Sequence, residues 1–257
     1  MNPDNYTPEW DYIRAEKLDD LINFDELNEG AVIDSEIGGC QIPIPPNPLD
    51  LVRLHKLVRQ RKCFTVLEFG VGHSTIVLAD ALKKNEIDWN QLKDRPPIRN
   101  RFMFQLFSID ASLKWIKRTK QLFPKLLIDR THIKYSRVEI GTFRGQLCHY
   151  YKTLWDIIPD FIYLDGPSPK DVRGDLHGLS FQCNERTVMS GDLLLMEPTF
   201  LPGLLILVDG RTNNCRFLQR NFTRKYEVRE DKNADITTFE LLEERLGKYN
   251  LLGSDFL

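Results

Sequence analysis

Short apolar runs alternate along the chain with stretches in which apolar residues recur every three or four positions. From Leu49, leucine and valine recur at helical spacing and predict an amphipathic helix. Residues 64–69 then form a short, β-prone run bounded by glycine, as expected of a buried strand. A glycine turn separates this run from a helix predicted over residues 74–84. Strand, turn and helix therefore follow in the order of a βα unit.

The alternation continues to the end of the chain. Further strands are predicted over residues 102–109, 132–138, 161–164 and 204–208, and further helices over residues 112–123, 147–157, 179–200 with breaks, and 213–222. Two last strand-like runs, 225–229 and 236–242, are joined by a polar turn and predict an antiparallel pair. Such alternation favours a parallel sheet covered on both faces by helices. The predicted fold class is therefore α/β: a Rossmann-like, doubly wound, mostly parallel sheet with a C-terminal antiparallel hairpin.

Two segments stand outside this pattern. Residues 1–47 are acidic and aromatic, with a short helix predicted over residues 8–24 and a glycine turn at 38–39, and are interpreted as an N-terminal arm or cap. The repeated prolines at its end exclude a helix and predict a stiff connector. Residues 85–101 are polar, contain Pro96-Pro97, and are interpreted as a surface insertion in a domain that spans residues 48–257.

Composition narrows the classes of function. A net charge of -2 and a pI of about 6.2 argue against a nucleic-acid partner, because the chain lacks an overall positive field. The five cysteines form no C-x-x-C pair, which argues against a disulfide framework or a zinc knuckle. No apolar run reaches the roughly 18 residues of a membrane span, and no signal-peptide core is present, so we expect a cytoplasmic protein. The exposed arm and insertion are compatible with a homodimer.

The loop Glu68–Thr75 follows the first predicted strand, at the sheet edge where doubly wound folds bind ligands. Gly70 and Gly72 permit a tight turn and the close approach of a ligand to the backbone. Thr75 stands where a dinucleotide fingerprint has its third glycine, and Glu68 would repel phosphate oxygens. Glu68 could instead hold an α-ammonium group, directly or through water. The predicted cofactor-binding residues of the loop are Glu68, Gly70, Gly72, His73, Ser74 and Thr75.

Asp110 closes the second predicted strand, where a carboxylate can accept hydrogen bonds from both ribose hydroxyls of an adenosine. It follows Glu68 by 42 residues, more than the usual separation of about 20, but 17 of these residues belong to the predicted insertion. Tyr135 and Ser136, near the end of the third strand, are candidates to flank the adenine, or else ordinary strand residues. The loop and Asp110 together favour a nucleoside cofactor over a mere tight turn.

With Glu68-Phe69-Gly70-Val71-Gly72 the chain resembles the class I S-adenosylmethionine-dependent methyltransferases, whose first motif reads acidic residue, x, Gly, x, Gly. The resemblance extends from about Pro48 to Glu243. It implies that S-adenosylmethionine is the cofactor, that Asp110 binds the ribose, and that the motif Asp160–Pro167 lies beside the transferred methyl group. The antiparallel seventh strand of that superfamily agrees with the predicted hairpin.

More narrowly, Pro159–Pro167, followed by Pro202-Gly203 and Val208–Arg211, resembles uncharacterised methyltransferase-like proteins found among bacterial surface-polysaccharide genes. This likeness implies a role in polysaccharide biosynthesis but specifies no acceptor.

Asp165 and Asp209 close adjacent predicted strands and are candidates for catalysis, with Asp165 also facing the cofactor. In metal-dependent O-methyltransferases of this superfamily, an acidic residue after the fourth strand and an Asp-Asp or Asp-Asn pair after the fifth hold Mg²⁺, an ion that prefers oxygen ligands. Here the pair reads Asp209-Gly210, so a magnesium site formed by Asp165 and Asp209 would need Asn213 or Asn214 as a further ligand. Alternatively, the two aspartates are turn residues that bond nearby backbone amides.

Three histidines and an arginine complete the candidates. His177, in a glycine-flanked loop, is the preferred general base because imidazole titrates near neutral pH, although a solvated loop histidine fits the same pattern. His149 is interpreted as a packing residue of a helix, and His73 as a residue that shapes the cofactor loop. Arg211 could bind a carboxylate or phosphate of the acceptor, or form a surface salt bridge.

The leading hypothesis is an O-methyltransferase that acts on a small-molecule or saccharide hydroxyl. A second hypothesis is a non-catalytic, cofactor-binding scaffold protein in which the arm and the insertion mediate assembly. A third is a nicotinamide-dependent oxidoreductase, since the same sheet hosts many functions, but Thr75 counts against it. Nucleic-acid methylation is disfavoured by the acidic balance and by the absence of an Asn/Asp-Pro-Pro-aromatic motif.

Overall fold

A computed structural model describes residues 7–24, 46–183, 185–245 and 247. Over these residues the α-helices are α1 (Pro8–Ala15), α2 (Pro48–Gln60), α3 (His73–Gln91), α4 (Leu113–Leu122), α5 (Asp192–Met196) and α6 (Thr212–Asn221). The strands are β1 (Thr65–Phe69), β2 (Gln105–Asp110), β3 (Thr131–Tyr135), β4 (Val138–Phe143), β5 (Gln146–Tyr151), β6 (Phe161–Leu164), β7 (Val172–Arg173), β8 (Leu205–Asp209), β9 (Tyr226–Asp231) and β10 (Ile236–Leu241). Short 3₁₀ helices span Lys125–Arg130, Pro169–Asp171 and Glu197–Thr199.

Seven strands form the central sheet, in the order β3-β2-β1-β6-β8-β10-β9. The pairs from β3 to β8 are all parallel, whereas β10 runs antiparallel to both β8 and β9. Every residue of β1 and of β6 is buried, as expected of central strands covered on both faces. The doubly wound, mostly parallel sheet and its antiparallel C-terminal pair confirm the predicted fold class.

Helices cover one face of the sheet, and a mixed layer covers the other. Apolar residues of α1, α2 and α3 pack on the first face in one continuous cluster. On the opposite face, a second sheet of order β5-β4-β7 packs together with α5 and α6. The carboxyl ends of the parallel strands therefore open between two well-packed layers, which fixes the position of the loops that follow them.

The helix predicted over residues 147–157 is wrong. This segment contains β5, which pairs antiparallel with β4 from Phe143↔Gln146 to Val138↔Tyr151. Arg144 and Gly145 form the turn, and both have positive φ angles, of 50° and 75°. The aromatic and apolar residues of β5 suit both the helical and the strand period, and pairing with β4 decides between them. His149, predicted on a helix, consequently lies in a strand.

Three other predicted boundaries differ. Helix α3 continues to Gln91, so the first seven residues of the predicted insertion are helical. Asn85 holds this extension by donating to the carbonyl oxygens of Val58 (3.0 Å) and Cys63 (3.1 Å). The helix predicted over residues 179–200 is reduced to α5 and one 3₁₀ turn in the part that the structure describes. Helix α1 ends at Ala15, and most of the predicted arm, with its glycine turn and Cys40, lies outside the described residues.

A buried polar chain joins the three helices of the first face. The hydroxyl of Tyr12 bonds His55 Nδ1 (2.7 Å), and His55 Nε2 bonds Asp80 Oδ2 (3.0 Å). Burial lowers the pKa of His55, so the ring is neutral and its Nε2–H donates to the carboxylate. Lys84 pairs with the same oxygen (2.6 Å) and also with Glu16 (3.0 Å). Burial alone would raise the pKa of Asp80, but the bonds from His55 and Lys84 outweigh it and lower that pKa.

Among the described residues, no helix has both the length and the apolar character needed to cross a bilayer.

We predict that Asp80→Asn destabilises the fold by about 2 kcal/mol, because it leaves Lys84 and His55 without a buried anionic partner. Asp88→Asn is the matched control, since Asp88 pairs with Arg59 and Lys62 at the partly exposed surface. The control should cost less than about 1 kcal/mol. Urea unfolding at pH 7 measures both, and equal free energies of unfolding for the two variants would contradict the prediction.

Candidate functional site

A cavity of about 500 Å³ opens at the carboxyl ends of the parallel strands. The loops after β1, β2, β6 and β8 form its floor, and the start of α2 and one face of α4 form its walls. A concavity at this edge is the usual ligand site of a doubly wound sheet. The predicted site residues that line it are Gly70, Gly72, His73, Ser74, Asp110, Asp165, Asp209 and Arg211.

Two glycines bring the loops after β1 and β6 into direct contact. Gly70 has a φ of +104°, and a Cβ there would lie 3.3 Å from the backbone nitrogen of Gly166. A Cβ on Gly166 would lie only 2.8 Å from the backbone nitrogen of Gly70. Gly72, in contrast, has open space where a side chain would lie, so its backbone is accessible from the cavity. The glycine loop therefore packs tightly against the loop after β6 at Gly70 and leaves its backbone open to the cavity at Gly72.

Glu68 lies behind this loop and is completely buried. Its carboxylate accepts hydrogen bonds from the hydroxyls of Ser74 (2.6 Å), Thr75 (2.8 Å) and Ser108 (2.6 Å). Burial raises the pKa of Glu68 to about 7, although the three hydroxyls oppose the shift. The Thr75 hydroxyl also accepts from Gly72 N (3.0 Å), so the carboxylate braces the loop and the first turn of α3.

Asp110 ends β2 with its carboxylate at the cavity. Its Oδ2 accepts from Val71 N (3.0 Å), and its Oδ1 accepts from Ser112 N (2.6 Å). Each carboxylate oxygen retains a second lone pair, so two further donors can bind from the cavity side. Burial raises the pKa of Asp110 to about 6, and the bond from Ser112 N opposes this shift. The side chain is therefore mainly ionised at neutral pH.

Asp165 and Asp209 follow the neighbouring strands β6 and β8 and line the same cavity. The Asp165 side chain is 53% exposed. Partial burial in the cavity raises its pKa, Arg211 lowers that pKa, and the charge of Asp209 raises it further. Asp209 accepts from the Tyr163 hydroxyl (2.7 Å), and its pKa is raised by burial. Both carboxylates are thus more basic than a solvated aspartate.

Arg211 connects the loops after β6 and β8. Its guanidinium donates to the carbonyl oxygens of Pro167 (2.8 Å) and Asp165, and it lies 3.6 Å from the Asp165 carboxylate. The backbone of Arg211 is left-handed, with a φ of +62°, at the start of α6. The guanidinium therefore binds two loops of the protein itself, and only part of it is available to a ligand in the cavity.

The remaining predicted site residues lie elsewhere. Ser136 is buried; its backbone N donates to Asp110 O (3.0 Å), and its hydroxyl accepts from Thr153 N (3.0 Å). His177 is exposed in a loop, with a φ of 55°, and does not line the cavity. Asn213 lines a different cavity, described below. His149 is fully buried, and burial lowers its pKa to about 3.

No group of three or more His, Cys, Asp or Glu side chains with metal-binding geometry occurs in the part of the chain that the structure describes. Because Asn213 lies outside the cavity that Asp165 and Asp209 line, the predicted magnesium ligands are not brought together.

Sequence reasoning missed one wall of the cavity and part of another. Trp115, Arg118, Thr119 and Leu122 line it from α4, and Asn47, Asp50 and Leu51 line it from the start of α2. The α4 residues recur at three- and four-residue spacing, so the sequence shows that they share one face of a helix. The spacing does not show whether that face meets a ligand or the protein core. With Asp171, the described residues of the lining include five aspartates against two arginines, so this part of the cavity is acidic.

We predict that Glu68→Gln changes how stability depends on pH. The folded pKa of Glu68 is raised above its unfolded value, so the wild-type fold loses stability as the pH rises from about 5 to 8. The variant lacks this loss, and its unfolding free energy relative to wild type should rise over that interval by on the order of 2 kcal/mol. Urea unfolding at several pH values measures it, with the surface variant Glu86→Gln as control. A constant difference between wild type and Glu68→Gln would refute the prediction.

No protein-family model matches the chain, and no curated protein matches it by sequence. Solved structures with a similar backbone include a methyltransferase of Podospora anserina bound to SAH, with 14% identity, coverage of 89% of this chain and 96% of that chain, and a TM-score of 0.44. They also include the O-methyltransferase TomG of Streptomyces achromogenes in complex with SAM (13% identity, 92% and 100% covered, TM-score 0.40). A third is a methyltransferase of Geobacter sulfurreducens (16% identity, 93% and 94% covered, TM-score 0.42). At this level of similarity, the function has to be argued from the cavity itself.

Proposed function

We propose that this protein is an S-adenosylmethionine-dependent methyltransferase that methylates a hydroxyl group of a small-molecule or saccharide acceptor. The observation that carries the proposal is the acidic cavity, in which the open Gly72 backbone faces the Asp110 carboxylate at the end of β2. A nucleotide with several phosphates would be repelled by five aspartates. A ligand that combines an adenosine with cationic sulfonium and ammonium groups is attracted by them.

The residues present fit this cofactor. Asp110 has the free lone pairs to accept both ribose hydroxyls, while its backbone bonds hold the carboxylate in place. Gly72 leaves room for the ligand beside the loop. Trp115, on α4, offers an aromatic side chain to the adenosine portion. We assign Glu68 a positioning role, because its carboxylate is engaged by three hydroxyls of the protein.

When bound, S-adenosylmethionine supplies an electrophilic methyl group. Transfer is an in-line displacement, so the chain's own contribution is to position the acceptor and remove its proton. We assign proton removal to Asp165 and Asp209, because both line the cavity and both have raised pKa values. The Tyr163 hydroxyl orients Asp209, and Arg211 holds the two loops at a fixed distance. No step is assigned to magnesium, because the described side chains do not form its ligand set.

We predict that the purified protein binds S-adenosylmethionine and that Asp110→Asn weakens binding about 10- to 100-fold, because hydrogen bonds to a charged acceptor contribute about 1.5–3 kcal/mol. Isothermal titration calorimetry at pH 7.5 measures the affinity, and a thermal unfolding curve shows that the variant is folded. Asp88→Asn, on the far surface of α3, is the matched control and should bind like wild type. If wild type binds no S-adenosylmethionine, the proposal fails; binding without turnover on a broad acceptor panel favours the scaffold hypothesis.

We also predict that the affinity of wild type for S-adenosylmethionine falls as the pH is lowered from 7.5 to 5.5. The pKa of Asp110 is raised to about 6 and that of Asp165 is raised as well, so protonation in this interval removes negative charge from the cavity. Calorimetric titrations across the interval measure the change, which should be smaller in Asp110→Asn. An affinity independent of pH in wild type would show that these carboxylates do not face the ligand.

A further inference from the structure

A second cavity, of about 400 Å³, lies on the other side of the first turn of α6. Three arginines line it: Arg216 and Arg220 are four residues apart on one face of α6, and Arg186 comes from the segment before α5. Asn213 adds a side-chain amide on the same face. We propose that this cavity binds the phosphate group of a phosphorylated small molecule.

The charges of the cavity are only partly compensated by the protein. Arg216 pairs with Glu230 (3.0 Å), and Arg186 donates to the Ser180 carbonyl oxygen. The Arg220 side chain makes no hydrogen bond or ion pair with the described residues. Glu185 is the one acidic residue among the described residues of the lining, and its carboxylate accepts from the Cys183 thiol (2.8 Å). Positive charge therefore remains for a bound anion.

Buried polar and apolar groups point to the kind of ligand. The Thr187 hydroxyl oxygen is buried in this lining and has no hydrogen-bond partner among the described residues, so a donor or acceptor from a ligand can satisfy it. Leu147 and Met189 form an apolar part of the wall, which suits the carbon skeleton of a small organic molecule. A single concavity of this size fits a small molecule better than a nucleic acid or a membrane surface.

The arrangement favours a phosphate over a carboxylate. One guanidinium fork satisfies both oxygens of a carboxylate. Three guanidinium groups, which approach from two separate segments, match instead the three charged oxygens of a phosphate monoester.

This cavity is separate from the acidic one. Among the described residues the two cavities share no lining residue: Arg211 lines the acidic cavity, whereas Asn213, two residues later, lines this one. The phosphate site is therefore a second binding site, and its test does not depend on the proposed methyltransferase function.

The test has a binding arm. Inorganic phosphate is titrated into the full-length protein by calorimetry, and wild type should saturate with a Kd on the order of 1–10 mM. Arg216→Gln/Arg220→Gln should weaken binding at least 10-fold. The matched control is Arg229→Gln in the neighbouring strand β9. The Arg229 guanidinium pairs with Glu227, so this substitution should leave phosphate binding unchanged. Thermal unfolding shows that the variants are folded, and Arg186→Gln provides a second, independent substitution.

The same samples are titrated with S-adenosylmethionine, and we expect unchanged cofactor affinity in the double variant. Equal phosphate binding by wild type and the double variant, or no saturation by wild type, overturns the site. Phosphate binding without S-adenosylmethionine binding would instead refute the methyltransferase while retaining the oxyanion site.

Discussion

The carboxylate of Glu68 is the interaction on which the rest of the site depends. It binds Ser108 of β2 and Ser74 and Thr75 of α3, and so joins two strands and a helix at one buried point. Burial raises its pKa, and among the described residues the bonds that oppose this shift come from neutral hydroxyls. The protein thus places an unfavourable charge inside its core in exchange for a loop whose shape is fixed before any ligand arrives.

The two cavities differ in charge, and this difference follows from topology. Asp110, Asp165 and Asp209 end or follow parallel strands and so meet in the first cavity, where backbone N–H groups hold Asp110 and the Tyr163 hydroxyl holds Asp209. The second cavity is built in part from the outer face of α6, where long basic side chains reach solvent. The first cavity therefore favours a cationic ligand and the second an anionic one.

The glycine-bounded strands made much of the fold predictable, and with it the meeting of Asp110, Asp165 and Asp209 at one edge of the sheet. Each of these aspartates follows an apolar run, and parallel strands bring such ends together. The hairpin of β4 and β5 was missed because its residues suit both the helical and the strand period. Asn213 was predicted beside Asp209 because the two residues are close along the chain. Each helical residue turns the side-chain direction by about 100°, so Asn213 points about 200° away from Arg211 and lines the other cavity. His177 was chosen by chemical type, and only the folded loop shows that it lies away from the cavity.

The contact between Gly70 and Gly166 also limits how such a chain can diverge. A side chain at either position would push the two loops apart, so substitutions there require simultaneous changes in both segments. Gly72 meets no such obstacle, since its backbone is extended and a Cβ there would contact nothing. Related proteins are therefore expected to keep the paired glycines while other small side chains appear at position 72, where they would narrow the cavity without disturbing the loop.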